Sequence, residues 1–370
     1  IGVLGVLQHK VKYNGADTAA EEIEPILISS DPNFRPSDVE VGGDGALYVT
    51  DWHNALIGHM QHNMRDPNRD HEHGRIYRVT YPGRPLVKPA KMKGKPIAQV
   101  CENFYATEDS TRYRARLELT GRDRSDIAEQ VANWVVERDV KKPADAQAML
   151  ECLWVFEEQR IVDPVLAAHV FKAEEPRVRA AAIRTLGHWG EIGAEVAGWE
   201  KLLTAASRDE SALVRAEAVK AAIAFPGLTG AEVIFETATR PTDPELNTVL
   251  NYAKGKINAD ALVQDAIKSG KPLSKAAQAY ALLNASVSDL LKMKRTEAVY
   301  EAILSRPSVP PQALVESVTG LSLVRKVKPV DLLIDLISER DATGQAAGLE
   351  GLGRLLSSFP TAELKPAREK

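Results

Sequence analysis

Five of the eight histidines of this chain lie between His53 and His73. They belong to a stretch from Thr50 to Gly83 that reads TDWHNALIGHMQHNMRDPNRDHEHGRIYRVTYPG. Imidazole, guanidinium and carboxylate groups at this density suit several kinds of chemistry. His59 and His62 are spaced as HxxH, and His71 and His73 as HxH. On a loop both spacings suit chelation, because neutral imidazole is the commonest metal ligand. Asp51 closes a strand-like segment and is a candidate general base or Ca2+ ligand. Arg65 and Arg69 are candidates to pair with an anionic cofactor such as a quinone carboxylate. Trp52 either stacks on a sugar ring or belongs to the core, and the core reading is preferred. A structural reading stands beside these. In it Arg65, Asp66, Asp70 and the histidines bond to one another and stiffen a long loop, and Asp51 caps the next turn.

The elements around this stretch are β-type. Ile23 to Ile28 and Ser37 to Val41 are short strand candidates. Gly42-Gly43-Asp44-Gly45 is a turn signal, because Gly and Asp accept positive φ at low cost. ALYVTD (46–51) alternates apolar and polar residues, and GRIYRVTY (74–81) does so again. The order strand, tight turn, strand, long loop, strand is the layout of one β-propeller blade. In that geometry Asp38, Asp51 and the histidines share the face at the mouth of the central channel. A long polar insertion between two good strands more often serves function than folding. One blade and part of another do not close a ring. The segment is therefore expected to be a fragment of a propeller, or a small cap on the helices. The first residues, IGVLGVLQHKVKY, are expected to be a strand in mid-domain, so the chain is expected to begin inside a larger protein.

Residues 87–105 read as a linker, with four lysines among Pro and Gly breaks in VKPAKMKGKP. From 106 to 370 the pattern is helical and repeats. EPRVRAAAIRTLG from Glu175 recurs 36 residues later as SALVRAEAVKAA from Ser211, with Arg179 and Arg215 in equivalent places. A weaker copy starts at Asp243, and a further helix of the kind is expected over 345–352. Val178, Ala181, Ala182 and Leu186 fall on one stripe, and small residues let helices approach closely. Paired helices with a period of 30 to 40 residues mean an α-solenoid of the HEAT type. The equivalence of Arg179 and Arg215 points to bonding between repeats, and His188 at a helix end is assigned no chemistry.

The fold class expected is thus mainly α: a HEAT-like solenoid over 106–370, preceded by a β segment over 1–86 resembling the last blade or blades of a propeller. A net charge of −4 and a pI of about 6.1 argue against nucleic acid as a partner. Cys101 and Cys152 are distant in sequence and form no CxxC, which excludes a disulfide framework and a cysteine zinc site. No apolar run approaches the ~18 residues of a transmembrane segment.

FRPSDVEVGGDGALYVTDW, followed by GHMQHNMRDPNRDHEHGRIYRVTYPGRPL, resembles the end of the propeller in the membrane-bound dehydrogenases of planctomycetes and verrucomicrobia. The helical part resembles theirs as well, in DSTRYRARLEL and in ECLWVFEEQRIVDPVLAAHVFKAEEPRVRAAAIRTLGHW. In that family a propeller, often compared with the quinoprotein sugar dehydrogenases, precedes HEAT-like repeats and a C-terminal cytochrome c domain with CxxCH. This chain carries no CxxCH, so the resemblance implies an internal fragment. It implies a periplasmic or secreted enzyme oxidising a sugar, alcohol or polyol, with a quinone or Ca2+ at the propeller and a c-type haem downstream. The repeats would be a spacer or a docking surface for a protein partner. On that reading His59, Arg65, Asp51 and Asp38 are the expected catalytic residues, Arg69 and Trp52 the cofactor contacts, and His62, His71 and His73 the metal ligands. The alternative is a non-catalytic module, in which the propeller grips a polysaccharide or protein and the repeats are a scaffold.

Overall fold

A computed structural model describes residues 3–54, 70, 72–344 and 347–367. It is mainly helical, with eighteen α-helices among the described residues and a small N-terminal β segment.

Strands β1 (Gly5–Asn14) and β2 (Asp17–Ile28) form an antiparallel hairpin. Gly15 opens its two-residue turn at φ 64°, the position that a type II′ turn reserves for glycine. β2 starts six residues before the Ile23–Ile28 segment expected from sequence. Asp17 to Glu22 are poor strand formers, but β1 pairs with them, and Lys12–Glu21 and His9–Glu22 ion pairs cross the ladder.

The second sheet is a meander of β3 (Pro36–Val41), β4 (Leu47–Asp51) and β5 (Arg75–Val79), in that order. The turn before β4 is fastened by Asp44. Its Oδ1 accepts from Ala46 N at 3.1 Å, and its Oδ2 from Tyr48 Oη at 2.9 Å and Arg78 Nη2 at 2.5 Å. Those bonds, the Ala46 amide foremost, hold the Asp44 carboxyl below its ordinary value. The two sheets share a small core of Val6, Phe34 and Val49, flanked by Leu4, Leu27, Leu47 and Val79.

The chain divides into two compact units, Ile1–Ala259 and Asp260–Lys370. The first unit contains α1 (Ile97–Cys101), α2 (Asp109–Thr120), α3 (Arg124–Val136), α4 (Pro143–Glu158), α5 (Pro164–Val170), α6 (Pro176–Glu191), α7 (Trp199–Ala206), α8 (Ala212–Ala224), α9 (Leu228–Ala238) and α10 (Pro244–Lys256). Helices α2, α4, α6, α8 and α10 stack one on the next, and α3, α5, α7 and α9 pack beside them as a second layer. The result is a two-layered stack of helices, as in an α-solenoid. Small residues set its spacing: a Cβ built on Gly187 in α6 would lie 3.2 Å from Cα and Cβ of Ala221 in α8.

The arginine of the repeat has a defined task. Arg112, Arg179 and Arg215 are each the fourth residue of their helix. Each turns back to donate through Nη1 to two carbonyls of the preceding loop: Ala106 and Thr107, Ala173 and Glu174, Asp209 and Glu210. The rest of the guanidinium reaches onward, from Arg112 to Glu151, from Arg179 to Asp209 and from Arg215 to the Pro241 carbonyl. Cys101 and Cys152, distant in sequence, both lie fully buried in this core, and burial and the neighbouring Cys101 push the Cys152 thiol well up.

The hairpin tip rests on the ends of these helices. Ala16 N donates to Asp243 Oδ2 at 2.8 Å, while Oδ1 of the same residue caps α10 through Leu246 N at 2.8 Å. Arg177, near the start of α6, lies 5.1 Å over the Tyr13 ring.

The second unit holds α11 (Ala259–Lys268), which begins one residue before the division, then α12 (Lys275–Asn284), α13 (Val287–Lys292), α14 (Glu297–Leu304), α15 (Pro311–Arg325), α16 (Pro329–Ala342), α17 (Leu349–Ser357) and α18 (Thr361–Leu364). Leu290, Ile303, Leu304, Leu321, Leu333 and Leu352 centre its core. Of the helix expected over 345–352, residues 345 and 346 lie outside the described residues, and α17 starts at Leu349 after Gly348 takes a left-handed conformation at φ 79°. No described helix is long and apolar enough to cross a membrane.

Candidate functional site

The site is built at the end of β4. Val49 is fully buried, and the two-residue period of a strand puts Asp51 on the same face. Asp51 is only 3 % exposed. Its Oδ1 accepts two backbone hydrogen bonds, from Arg35 N and from His53 N, each at 2.7 Å. The carboxylate thus ties the loop before β3 to the chain leaving β4, and Trp52 N adds a bond to Arg35 O at 3.0 Å.

The other carboxylate oxygen is not so employed. Asp51 Oδ2 is buried and has no hydrogen-bond partner among the described residues. The imidazole of His53 faces it, with Nδ1 at 3.7 Å, and that nitrogen is buried and unpartnered in the same way. His53 takes a left-handed backbone conformation, φ 49°. Such a conformation is uncommon for a residue other than glycine. Here the Asp51 carboxylate over-determines it by gripping the His53 amide. Arg75 stands opposite Asp51 in the β5 register, its Nη1 buried and without a partner among the described residues. The Arg35 guanidinium is held by Phe34 O at 2.7 Å. Asp31 lies close enough to His53 and Arg75 to feel both charges, although the amide of Asn33 does most to lower its carboxyl.

A carboxylate behind an imidazole is a general-base arrangement. The acid fixes the tautomer, and the far ring nitrogen is left to take a proton. A gap of 3.7 Å is longer than a hydrogen bond. Catalytic contacts in unliganded sites are often long and tighten on binding.

The residues singled out from sequence fare differently. Asp51 stands at the centre of the site. Asp38 does not join it: paired with Thr50, it points to the opposite, exposed face, where its Oδ1 accepts from Val39 N at 2.8 Å. Trp52 is not a core residue. The strand ends at Asp51, the alternation puts Trp52 outward, and its exposure is 61 %. His73 is exposed and pairs with Asp70, Nδ1 to Oδ1 at 3.2 Å. Asp70 also accepts from the amides of Glu72 and His73, and the Glu72 bond does most to lower its carboxyl. That is the self-bonding expected of a structural loop. His59, His62, Arg65, Arg69 and His71 lie outside the described residues. Among the described residues no three His, Cys, Asp or Glu side chains converge as a metal site would require. His53 carries no spacing signal of its own in the sequence. What marks it is its place two residues after an aspartate at a strand end.

A domain of unknown function, DUF7133, matches residues 5–83, which takes in the hairpin, the meander and the loop between β4 and β5 but none of the helices. No curated protein matches the chain.

Proposed function

We propose that this chain is part of a periplasmic or secreted dehydrogenase that oxidises a hydroxyl of a sugar, alcohol or polyol. In this reading the β segment supplies one wall of the site, and the helical repeats are the spacer towards an electron outlet. The observation that carries the reading is the buried Asp51–His53 pair at the root of a loop dense in ionisable groups. The resemblance to the membrane-bound dehydrogenases rests on the same segment. His53 would take the hydroxyl proton, oriented by Asp51 Oδ2; the two-electron acceptor that the oxidation needs would come from outside the described residues.

The described residues do not fit the groups that the resemblance implies. Asp51 has a single oxygen left, and no other carboxylate converges on it as a Ca2+ site demands. Both cysteines are buried in the helical core, away from any CxxCH, so no c-type haem attaches within this sequence. No step is therefore routed through a quinone, Ca2+ or haem, and the chain's own part is the proton.

The test is the visible spectrum of the full-length protein with dithionite and then with candidate sugars, repeated for His53→Gln. Reduced c-haem bands that appear with a sugar support the reading. The variant is then expected to lose about 10²- to 10⁴-fold in kcat/KM, as removal of a general base does. Absence of haem bands even with dithionite removes the electron outlet and the reading with it.

A second reading has its own observation. Asp51 Oδ1 and the Asp70–His73 pair serve backbone and loop, as they would in a non-catalytic module that binds a polysaccharide or protein. Sugar binding without any sugar-dependent reduction favours it.

A further inference from the structure

The second unit contains a cleft of about 990 Å3 between α11, α12, α13 and α14. That is the upper end of the range for small-molecule sites. Its floor is apolar: Leu282 and Val299 are buried, and Leu273 and Met293 are half-buried beside them. Three lysines line it, Lys271, Lys292 and Lys294. None of them has a carboxylate partner among the described residues, whereas neighbouring Arg295 is paired with Glu316 at 2.8 Å. The one acidic residue in the lining, Asp289, is committed to Ser286, whose Oγ donates to its Oδ2 at 2.6 Å. The cleft therefore offers a net positive lining over an apolar bed, three lysines against the single carboxylate of Asp289.

We infer that this cleft binds an amphipathic organic anion, a long-chain carboxylate whose tail lies on Leu273, Leu282, Met293 and Val299 and whose head meets Lys292 and Lys294. A small inorganic anion would leave the apolar floor wet, and a neutral lipid would leave the lysines unanswered. The inference is independent of the proposed oxidation, because every residue it uses lies in the other unit.

Met293 makes the test direct. The chain has five methionines, and carbon-13 labelling of their methyl groups resolves each. Met293→Leu identifies the signal of interest. Laurate, titrated below its micelle concentration, is expected to shift the Met293 methyl saturably and leave the other methyls unmoved. Lys292→Glu with Lys294→Glu, both on exposed side chains, is expected to weaken binding about tenfold. A Met293 signal unmoved by laurate overturns the inference in the unaltered protein, whatever the variants do. So does equal affinity in a double variant that keeps its circular dichroism, or displacement of laurate by inorganic phosphate at comparable concentration.

Discussion

Asp243 is one of the residues through which the β segment is fastened to the repeats, beside Arg177 and Ser110, and its replacement tests that fastening. One oxygen caps α10 and the other holds the hairpin tip. Asp243→Asn separates the two tasks. Asparagine caps a helix as well as aspartate does, so α10 keeps its N-terminus. The amide nitrogen that replaces Oδ2 is a donor and faces another donor, Ala16 N. A hydrogen bond to a charged acceptor contributes roughly 1.5–3 kcal/mol, so the tip loses about 2 kcal/mol of anchoring. A hairpin alone is marginal at best, and β1 and β2 are mostly exposed away from their base. The loss should therefore appear as tip opening, about 30-fold faster amide exchange around Tyr13 to Thr18. Hydrogen exchange read by mass spectrometry measures this, with the α10 peptide as an internal control that should not change. Gly15→Ala is expected to loosen the tip in the same way. Its Cβ would collide with Asp243 Oδ2, and its φ of 64° strains any side chain. Arg177→Gln removes the cation over Tyr13, for about 0.5–1 kcal/mol, together with an exposed ion pair to Glu175. If Asp243→Asn leaves the tip peptide as protected as before, the anchoring argument is wrong.

Three further outcomes follow from the helical part. Arg179→Ala severs a bidentate link to Asp209, at 2.8 and 2.9 Å, and two loop carbonyl contacts. It should cost about 3 kcal/mol in urea unfolding, the usual loss when one partner of a largely buried pair is removed. Tyr105 is pushed up to about 12 by burial and by its hydrogen bond to Asp145. A phenol raised above its unfolded value of 10.0 stabilises fully below that pH, and the contribution is lost as pH rises through about 12. Absorbance titration of the tyrosinates should include a late phenol that moves down in Asp145→Asn, whereas Tyr48, raised by its hydrogen bond to Asp44, should not respond to that substitution. Cys101 and Cys152 should resist iodoacetamide at pH 8 in the folded protein and react once it is unfolded, because both are fully buried. Rapid labelling of the folded chain would show that the α1–α4 core opens.

Much of this architecture was legible because its signals are local. The Gly-Asp-Gly turn announces itself, since few other residues accept the conformation that Gly45 adopts at φ 75°. The offset between Arg179 and Arg215 is a repeat of side-chain function, and the structure shows that function to be a clamp on the preceding loop. What was illegible depends on distant partners. Asp17 to Glu22 form a strand because β1 offers a ladder, not because of their own preference. Trp52 reads as core while the strand is imagined to continue, but the chain leaves β4 at Asp51 and turns left-handed at His53. The burial of both cysteines in one core depends on how α1 and α4 fold back, which no spacing reveals. The site itself was half legible. Asp51 carries its own signal, and His53 acquires a role only through the carboxylate two residues before it.

Asp51 and Asp243 use their carboxylates differently, and the contrast shows where folding ends and chemistry can begin. At Asp243 both oxygens are filled by backbone donors, so its structural work accounts for the whole side chain. At Asp51 one oxygen takes two backbone donors, and the other is left buried against an imidazole. A buried polar atom without a partner costs roughly 1–3 kcal/mol, so Oδ2 is a standing expense that the fold does not require. Asp51→Asn isolates that oxygen. The amide keeps Oδ1 for Arg35 N and His53 N, removes a buried charge, and takes away the acceptor that would fix the His53 tautomer. The variant should melt at the same temperature as the parent chain or a few degrees higher. It should also lose sugar oxidation in the full-length protein, because an amide cannot stabilise the imidazolium that forms when His53 takes a proton. Unchanged turnover in a variant that is equally or more stable would mean that Oδ2 serves no chemistry, and the Asp51–His53 pair would then be only the corner that turns the chain out of β4.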